Sequence, residues 1–246
     1  MKKVKAVILA AGKGTRMKSE LPKVLHEALG TPMVMYSIEA AREAGAELSD
    51  ICLVVGHGAK QVKEVVGDSV QYALQEQQLG TGHAVKCASE FIGTEGVTMV
   101  LCGDTPLIKG ETLKKMIETH IEEGNAITVL TAVVDDPTGY GRIIKDQQGK
   151  FVKIVEQKDA SAEEQQVREI NSGMYVFNSG ILTTALSKLN NHNKQGEYYL
   201  TDTIEIVKSE NLGAVSTVII DDVDETKGVN SPEQLLEAEE ILKNRA

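Results

Sequence analysis

The chain has 246 residues, 41% of them hydrophobic and 25% charged, and a net charge of −10. That length supports one large domain with a full core. The acidic balance argues against a nucleic-acid binder, which needs a positive field to attract phosphates, but leaves room for a small anionic ligand held by a few local cations.

In chain order, residues 4–10 form a continuous, β-branched apolar run that reads as a buried strand. The run is too short for a signal core and ends in Gly-Lys-Gly rather than a cleavage site. No stretch reaches the ~20 apolar residues of a membrane span, so a cytoplasmic protein without a membrane partner is expected. Helices are predicted over 33–43, 62–66, 80–91 and 113–121, alternating with strands over 51–55, 70–74, 97–102 and 127–134. Such alternation implies a mostly parallel sheet covered on both faces, with ligands collecting at the carboxyl ends of the strands. Short strands over 140–145, 151–155 and 173–177 suggest an added, partly antiparallel lobe. Helices at 178–189 and 201–208 and a strand at 215–220 follow. Ser231 as N-cap and Pro232 as first helical residue then open a helix over 232–243. Of the three cysteines, Cys52 and Cys102 lie in strand-like runs and read as buried thiols, and no zinc spacing is present.

After the first strand comes LAAGKGTRMKSELPK. It is not a Walker A loop, because Gly12-Lys13 is followed by Gly14 and no glycine stands five residues before Gly12. Nor is it the dinucleotide fingerprint, since Met17 holds the third glycine position; that disfavours a dehydrogenase. Small residues at Ala10, Ala11, Gly12 and Gly14 would let phosphates approach backbone N–H groups, with Lys13, Arg16 and Lys23 as cations. A surface turn with solvated lysines remains an alternative. Asp104, after a β-branched strand and Gly103, suits either a turn before Thr105-Pro106 or a Mg²⁺ ligand. His83 reads as a packing or capping residue, and His57, between two glycines, as a turn residue.

Leu9 to Met17 with Pro22-Lys23 resembles the opening of the sugar-phosphate nucleotidyltransferases. QEQQLGTGHAV (75–85), CGDTPLI (102–108), PTGYGRI (137–143), IVEQKDA (154–160), EINSGMYVF (169–177), QGEYYLTD (195–202) and GVN (228–230) narrow the likeness to the bacterial N-acetylglucosamine-1-phosphate uridyltransferases. The resemblance covers essentially the whole chain. It implies an α/β, Rossmann-like nucleotidyltransferase fold: a mixed, mostly parallel sheet flanked by helices, with a smaller sugar-binding β lobe. Within a single domain over 1–246, the nucleotide-binding half is expected at about 1–135, the sugar-binding lobe at about 136–225 and a C-terminal helix at about 231–244. Members of that group continue into a left-handed β-helix acetyltransferase domain, absent from these residues. A monomer is therefore the expectation, with self-association open. GVN is usually followed by Asp or Asn and then Arg; here Ser231-Pro232 follows.

The implied reaction transfers UMP from UTP to N-acetylglucosamine 1-phosphate, for cell-envelope precursor synthesis, with Mg²⁺ as cofactor. By resemblance, Arg16 handles the triphosphate and leaving pyrophosphate, and Lys23 bridges phosphates at the reacting centre. Leu9, Ala10, Ala11, Gly12 and Gly14, with Gly103, line the nucleotide, and Gln75, Gly80 and Thr81 read the uracil. Gly141, Glu156 and Asn171 contact the sugar, Thr201 lies near its phosphate, and Asp104 and Asn230 hold the metal. A glucose-1-phosphate nucleotidyltransferase and a non-catalytic nucleotide-sugar binding module remain alternatives.

Overall fold

The computed structural model describes residues 3–245. Strand β1 (Val4–Ala10) leads through 3₁₀ turns at Thr15–Met17 and Lys23–Leu25 into a small hairpin, β2 (Glu27–Ala28) and β3 (Thr31–Pro32). Then come α1 (Met33–Glu43), β4 (Ile51–Val55), α2 (Ala59–Val66), β5 (Gln71–Leu74), α3 (Thr81–Cys87) and α4 (Ser89–Ile92). They are followed by β6 (Val97–Cys102), α5 (Gly110–Glu122), β7 (Ile127–Val133), β8 (Arg142–Lys145) and β9 (Phe151–Val155). The chain closes with β10 (Glu169–Asn178), α6 (Ser179–Lys188), α7 (Asp202–Ser209), β11 (Val215–Ile219) and α8 (Pro232–Arg245).

The main sheet runs β11-β7-β10-β6-β1-β4-β5. Strands β6, β1, β4 and β5 are parallel, as are β7 and β11, while β10 runs antiparallel between β6 and β7. Burial on both faces explains the continuous apolar runs. In β1 the period of two sends Ala6, Ile8 and Ala10 to one face, where they pack with Ile38 of α1 and Leu113 of α5. Val7 goes to the other, packing with Val85 of α3 and Leu182 of α6. The chain leaves β1 towards β4 on one side and returns to β6 on the other. This is a switch point, where the loops after β1 and β6 diverge and leave a crevice at their carboxyl ends.

The predicted alternation of strands and helices is present, with two instructive differences. The helix expected over 80–91 breaks at Ala88 (φ −94°, ψ 11°) into α3 and α4. Lys5 donates to the carbonyls of Phe91 and Ile92 at 3.0 and 2.6 Å, satisfying the end of the second piece. The strand expected at 173–177 begins four residues earlier, at Glu169, and is shared with the main sheet rather than confined to an added lobe. Among the described residues β8 and β9 branch off the path of that sheet, and β2 and β3 form a separate two-stranded sheet. Apolar periodicity missed the start of β10 because Glu169, Asn171, Ser172 and Gly173 interrupt it. Those residues build a bulge: the register with β7 passes from Asn171↔Thr131 to Tyr175↔Val129. Gly173 takes φ 80°, a left-handed conformation that favours glycine.

Ser172 holds the bulge shut. Its hydroxyl donates to the Leu130 carbonyl at 2.8 Å and accepts from the Met174 N–H at 3.1 Å. Ser172→Ala leaves both backbone groups without this partner in a buried place. It should lower unfolding free energy by about 1–3 kcal/mol, read as a reduced urea midpoint at unchanged m-value.

Candidate active site

The crevice starts with glycines. The Gly103 N–H donates to the Leu9 carbonyl at 3.0 Å, and a Cβ on Gly103 would lie 3.0 Å from that same oxygen. The close approach carries Asp104 to the loop after β1. Gly14 has φ 60°, and an added Cβ would fall 2.5 Å from Lys23 Cβ, so the bare glycine seats the lysine stem. Gly12 is open to solvent, with nothing within 4 Å of where a Cβ would stand.

Lys23 Nζ donates to the Asp104 carboxylate and, at 2.9 Å, to Asn230 Oδ1. The side chains of Lys23 and Asp104 are only 15% and 19% exposed. Asn230 is fixed by the start of α8: its N–H donates to Gln234 Oε1 at 2.8 Å, and Ser231 Oγ accepts from the Gln234 N–H. Ser231 and Pro232 therefore open the helix as the sequence implies, and Gln234 in its first turn holds the Asn230 backbone. The Val229 N–H donates to the Asp104 carbonyl at 2.8 Å, tying the two loops. Arg16, by contrast, is exposed and makes no hydrogen bond or ion pair among the described residues.

A cleft of about 340 Å³ opens beside this cluster, lined by Leu9, Ala10, Ala11, Gly12, Lys23, Gln75, Gly80, Thr81 and Asp104 among others. Gly14 and Gly103 do not line it; they support Lys23 and Asp104 from behind. Gln75 is buried and donates from Nε2 to the Gly80 carbonyl at 3.2 Å, with His83 Nδ1 at 3.1 Å. Gly80 has φ 106°, and a Cβ there would strike the Tyr198 carbonyl at 2.6 Å. Thr81 Oγ1 accepts from the Leu200 N–H at 3.2 Å, so its hydroxyl anchors the 197–200 segment against the cleft. His83 thus packs beside the Tyr198 ring, as the sequence reading has it, and is in addition a hydrogen-bonding neighbour of Gln75.

The remaining four residues gather at the bulge. The Asn171 N–H donates to the Gly141 carbonyl at 2.9 Å, and a Cβ on Gly141 would lie 3.5 Å from Asn171 Cβ and 3.6 Å from Glu156 Oε2. Thr201 donates to Glu156 Oε1 at 3.1 Å. Burial raises the Glu156 carboxyl above its ordinary range, against the opposing Thr201 hydrogen bond. Asn171 donates from Nδ2 to the Tyr175 hydroxyl at 2.7 Å and accepts from the Gly173 N–H at 3.1 Å. Tyr175, buried at 3% exposure, was not singled out from the sequence. A polar-tipped ring inside a buried run was the signal available, since a buried phenol needs a partner.

Residues 5–222 match the Nucleotidyl transferase family. The chain belongs to that family. It is 53% identical over 245 residues to the bifunctional protein GlmU of Caldanaerobacter subterraneus subsp. tengcongensis, covering 100% of this chain and 53% of that protein. With the bifunctional protein GlmU of Clostridium botulinum it shares 55% identity over 244 residues, covering 98% of this chain and 52% of the relative. The chain thus spans about half the length of these curated relatives. Its fold matches a UDP-glucose pyrophosphorylase solved with UDP-glucose, at TM-score 0.79, 22% identity and full coverage of both chains. The mixed, mostly parallel, helix-flanked sheet is therefore that of nucleotidyltransferases. Among the described residues no helix is long and apolar enough to cross a membrane.

On the flank next to Glu156, burial, then Glu205, Glu156 and Asp159, push the Asp202 carboxyl up to about 6 from an ordinary 3.8. The native state therefore keeps this proton to higher pH than the unfolded chain does. The associated stability is full below about pH 4 and is lost as pH rises through about 6. Asp202→Asn should raise stability at pH 7.5 by about 1 kcal/mol, solvent screening of this partly buried group included, and change little at pH 4. Thermal melting across that range checks the sign.

Proposed function

We propose that the chain is a cytoplasmic, Mg²⁺-dependent uridylyltransferase. It transfers UMP from UTP to N-acetylglucosamine 1-phosphate, giving UDP-N-acetylglucosamine and pyrophosphate for bacterial cell-envelope precursors. One observation carries the reading: Lys23, Asp104 and Asn230 converge beside a glycine-rich loop at the switch point of the sheet. The relatives named above add support.

In this reaction a sugar-phosphate oxygen attacks the α-phosphorus of UTP. The new P–O bond forms as the bond to the β-phosphate breaks, and pyrophosphate leaves with that electron pair. The nucleophile is already an anion, so no strong general base is required. Catalysis rests on positioning two anions and on countering charge. Lys23 supplies a fixed cation at the reacting centre and Arg16 a mobile one at the solvent edge for the leaving pyrophosphate. Backbone from Leu9 to Gly12 lines the nucleotide, Gln75 meets the base, and Gly141, Glu156, Asn171 and Thr201 contact the sugar phosphate.

The donor set suits Mg²⁺, which takes oxygen ligands, often one or two from protein and the rest from phosphates and waters. Asp104 and Asn230 aim two such oxygens at one positive charge, the Lys23 ammonium. When bound there, the metal would neutralise developing charge on the phosphates. The step needs no cluster of three or more His, Cys, Asp or Glu, and none is present among the described residues.

Pyrophosphate release is the direct test, with N-acetylglucosamine 1-phosphate beside glucose 1-phosphate and an EDTA control. Metal-dependent release preferring the N-acetyl sugar is expected; release with glucose 1-phosphate alone would overturn the sugar assignment. Asp104→Asn should cut turnover by on the order of 10²-fold with little change in melting temperature. Asn171→Ala should raise KM for the sugar phosphate by about tenfold and for UTP much less. The reverse split would move Asn171 out of the sugar site.

A further inference from the structure

We propose that His83 is a positioning residue that orients Gln75 and so sets the pyrimidine preference of the cleft. This rests on the reading of the cleft as a nucleotide site. Gln75 is 3% exposed and lines the cleft. Its Nε2 lies 3.2 Å from the Gly80 carbonyl and 3.1 Å from His83 Nδ1. A backbone carbonyl only accepts, so the amide nitrogen must be the end that faces Gly80. His83 Nδ1 must then be an acceptor, which puts the ring proton on Nε2. That nitrogen lies 4.0 Å from Cys87 Sγ, one turn along α3, where a sulfur can accept weakly. The Tyr198 ring, centred 6.2 Å away, packs beside the imidazole.

Both amide hydrogens of Gln75 are thereby taken by protein acceptors, and Oε1 is the end left to a ligand. An acceptor at that place suits the N3–H of uracil or thymine. Cytosine offers a lone pair at N3, which would face the lone pairs of Oε1. The chain Cys87–His83–Gln75 therefore converts a ring tautomer into a base preference. Without an acceptor at residue 83, one buried amide hydrogen loses its partner. The amide swings to satisfy it, and Oε1 leaves its line.

Two variants separate positioning from packing. Leu at this position puts a methyl group where Nδ1 stands, with no acceptor; Asn puts an oxygen there. UTP and CTP binding to the full chain would be measured by calorimetry, and KM for each substrate by pyrophosphate release. His83→Leu should weaken UTP by about tenfold and shrink the UTP-over-CTP preference, with KM for the sugar phosphate unchanged. His83→Asn should stay within about threefold of the parent in both respects. A His83→Leu chain that keeps the parent preference, or a His83→Asn chain as impaired as His83→Leu, would overturn the proposal. If the parent chain itself binds UTP and CTP alike, the failure lies with the uridylyl reading on which this one rests.

Discussion

The Lys23 ammonium, shared between Asp104 and Asn230, is the contact on which the arrangement of the crevice depends. Its three members come from the loop after β1, the end of β6 and the turn before α8. No local stretch of chain brings them together; the parallel pairing of β1 with β6 does, and the α8 cap completes it. As a source of stability the pair is poor, because removing both charges from water offsets much of their attraction. What it fixes is position: a cation and two oxygens face one point at the rim of the cleft.

The inverted strand does the same for the second half of the site. Because β10 runs antiparallel between β6 and β7, its bulge lies near the carboxyl ends of those neighbours. Asn171 therefore reaches the same end of the sheet as Asp104. Gly173 accepts from Cys102 Sγ at 3.8 Å across the two strands, so bulge and β6 are in direct contact. Of the two thiols expected to be buried, Cys52 is, whereas Cys102 is only partly buried and lines the cleft. Desolvation and then the Asp104 charge, against Lys23, push the Cys102 thiol up to about 12, which keeps it a neutral wall. A site without a competing nucleophile agrees with a reaction whose attacking group arrives already ionised.

Much of this was legible in the sequence, for physical reasons that differ by element. Strands β1, β4 and β6 are buried on both faces, so their apolar runs announced them. The loop after β1 was legible as a place for phosphates through its small residues and cations, though a solvated surface turn fitted the same residues and only the family resemblance separated the two. The start of β10 was not, since its polar residues serve the bulge and the site rather than the core. Asn230 stands just ahead of the Ser231 cap, and its contact with Lys23, 207 residues away, leaves no local trace. His83 and Tyr175 escaped for the same reason. The hydrogen bonds to Gln75 and to Asn171 give them their place in the site, and a hydrogen bond has no periodicity.

Lys23 also links charge in the cleft to its occupancy. Held by Asp104, the ammonium contributes little net positive charge in a chain of net charge −10. An anion entering the cleft must then compete with a carboxylate for it. Were a divalent cation held by the Asp104 and Asn230 oxygens, as proposed above, those oxygens would gain a stronger partner and the Lys23 ammonium would be free to face an anion. Cation and anion would then favour each other through a single side chain. The acidic residue beside the glycine-rich loop would then be no liability to anion binding, because it holds the lysine in place.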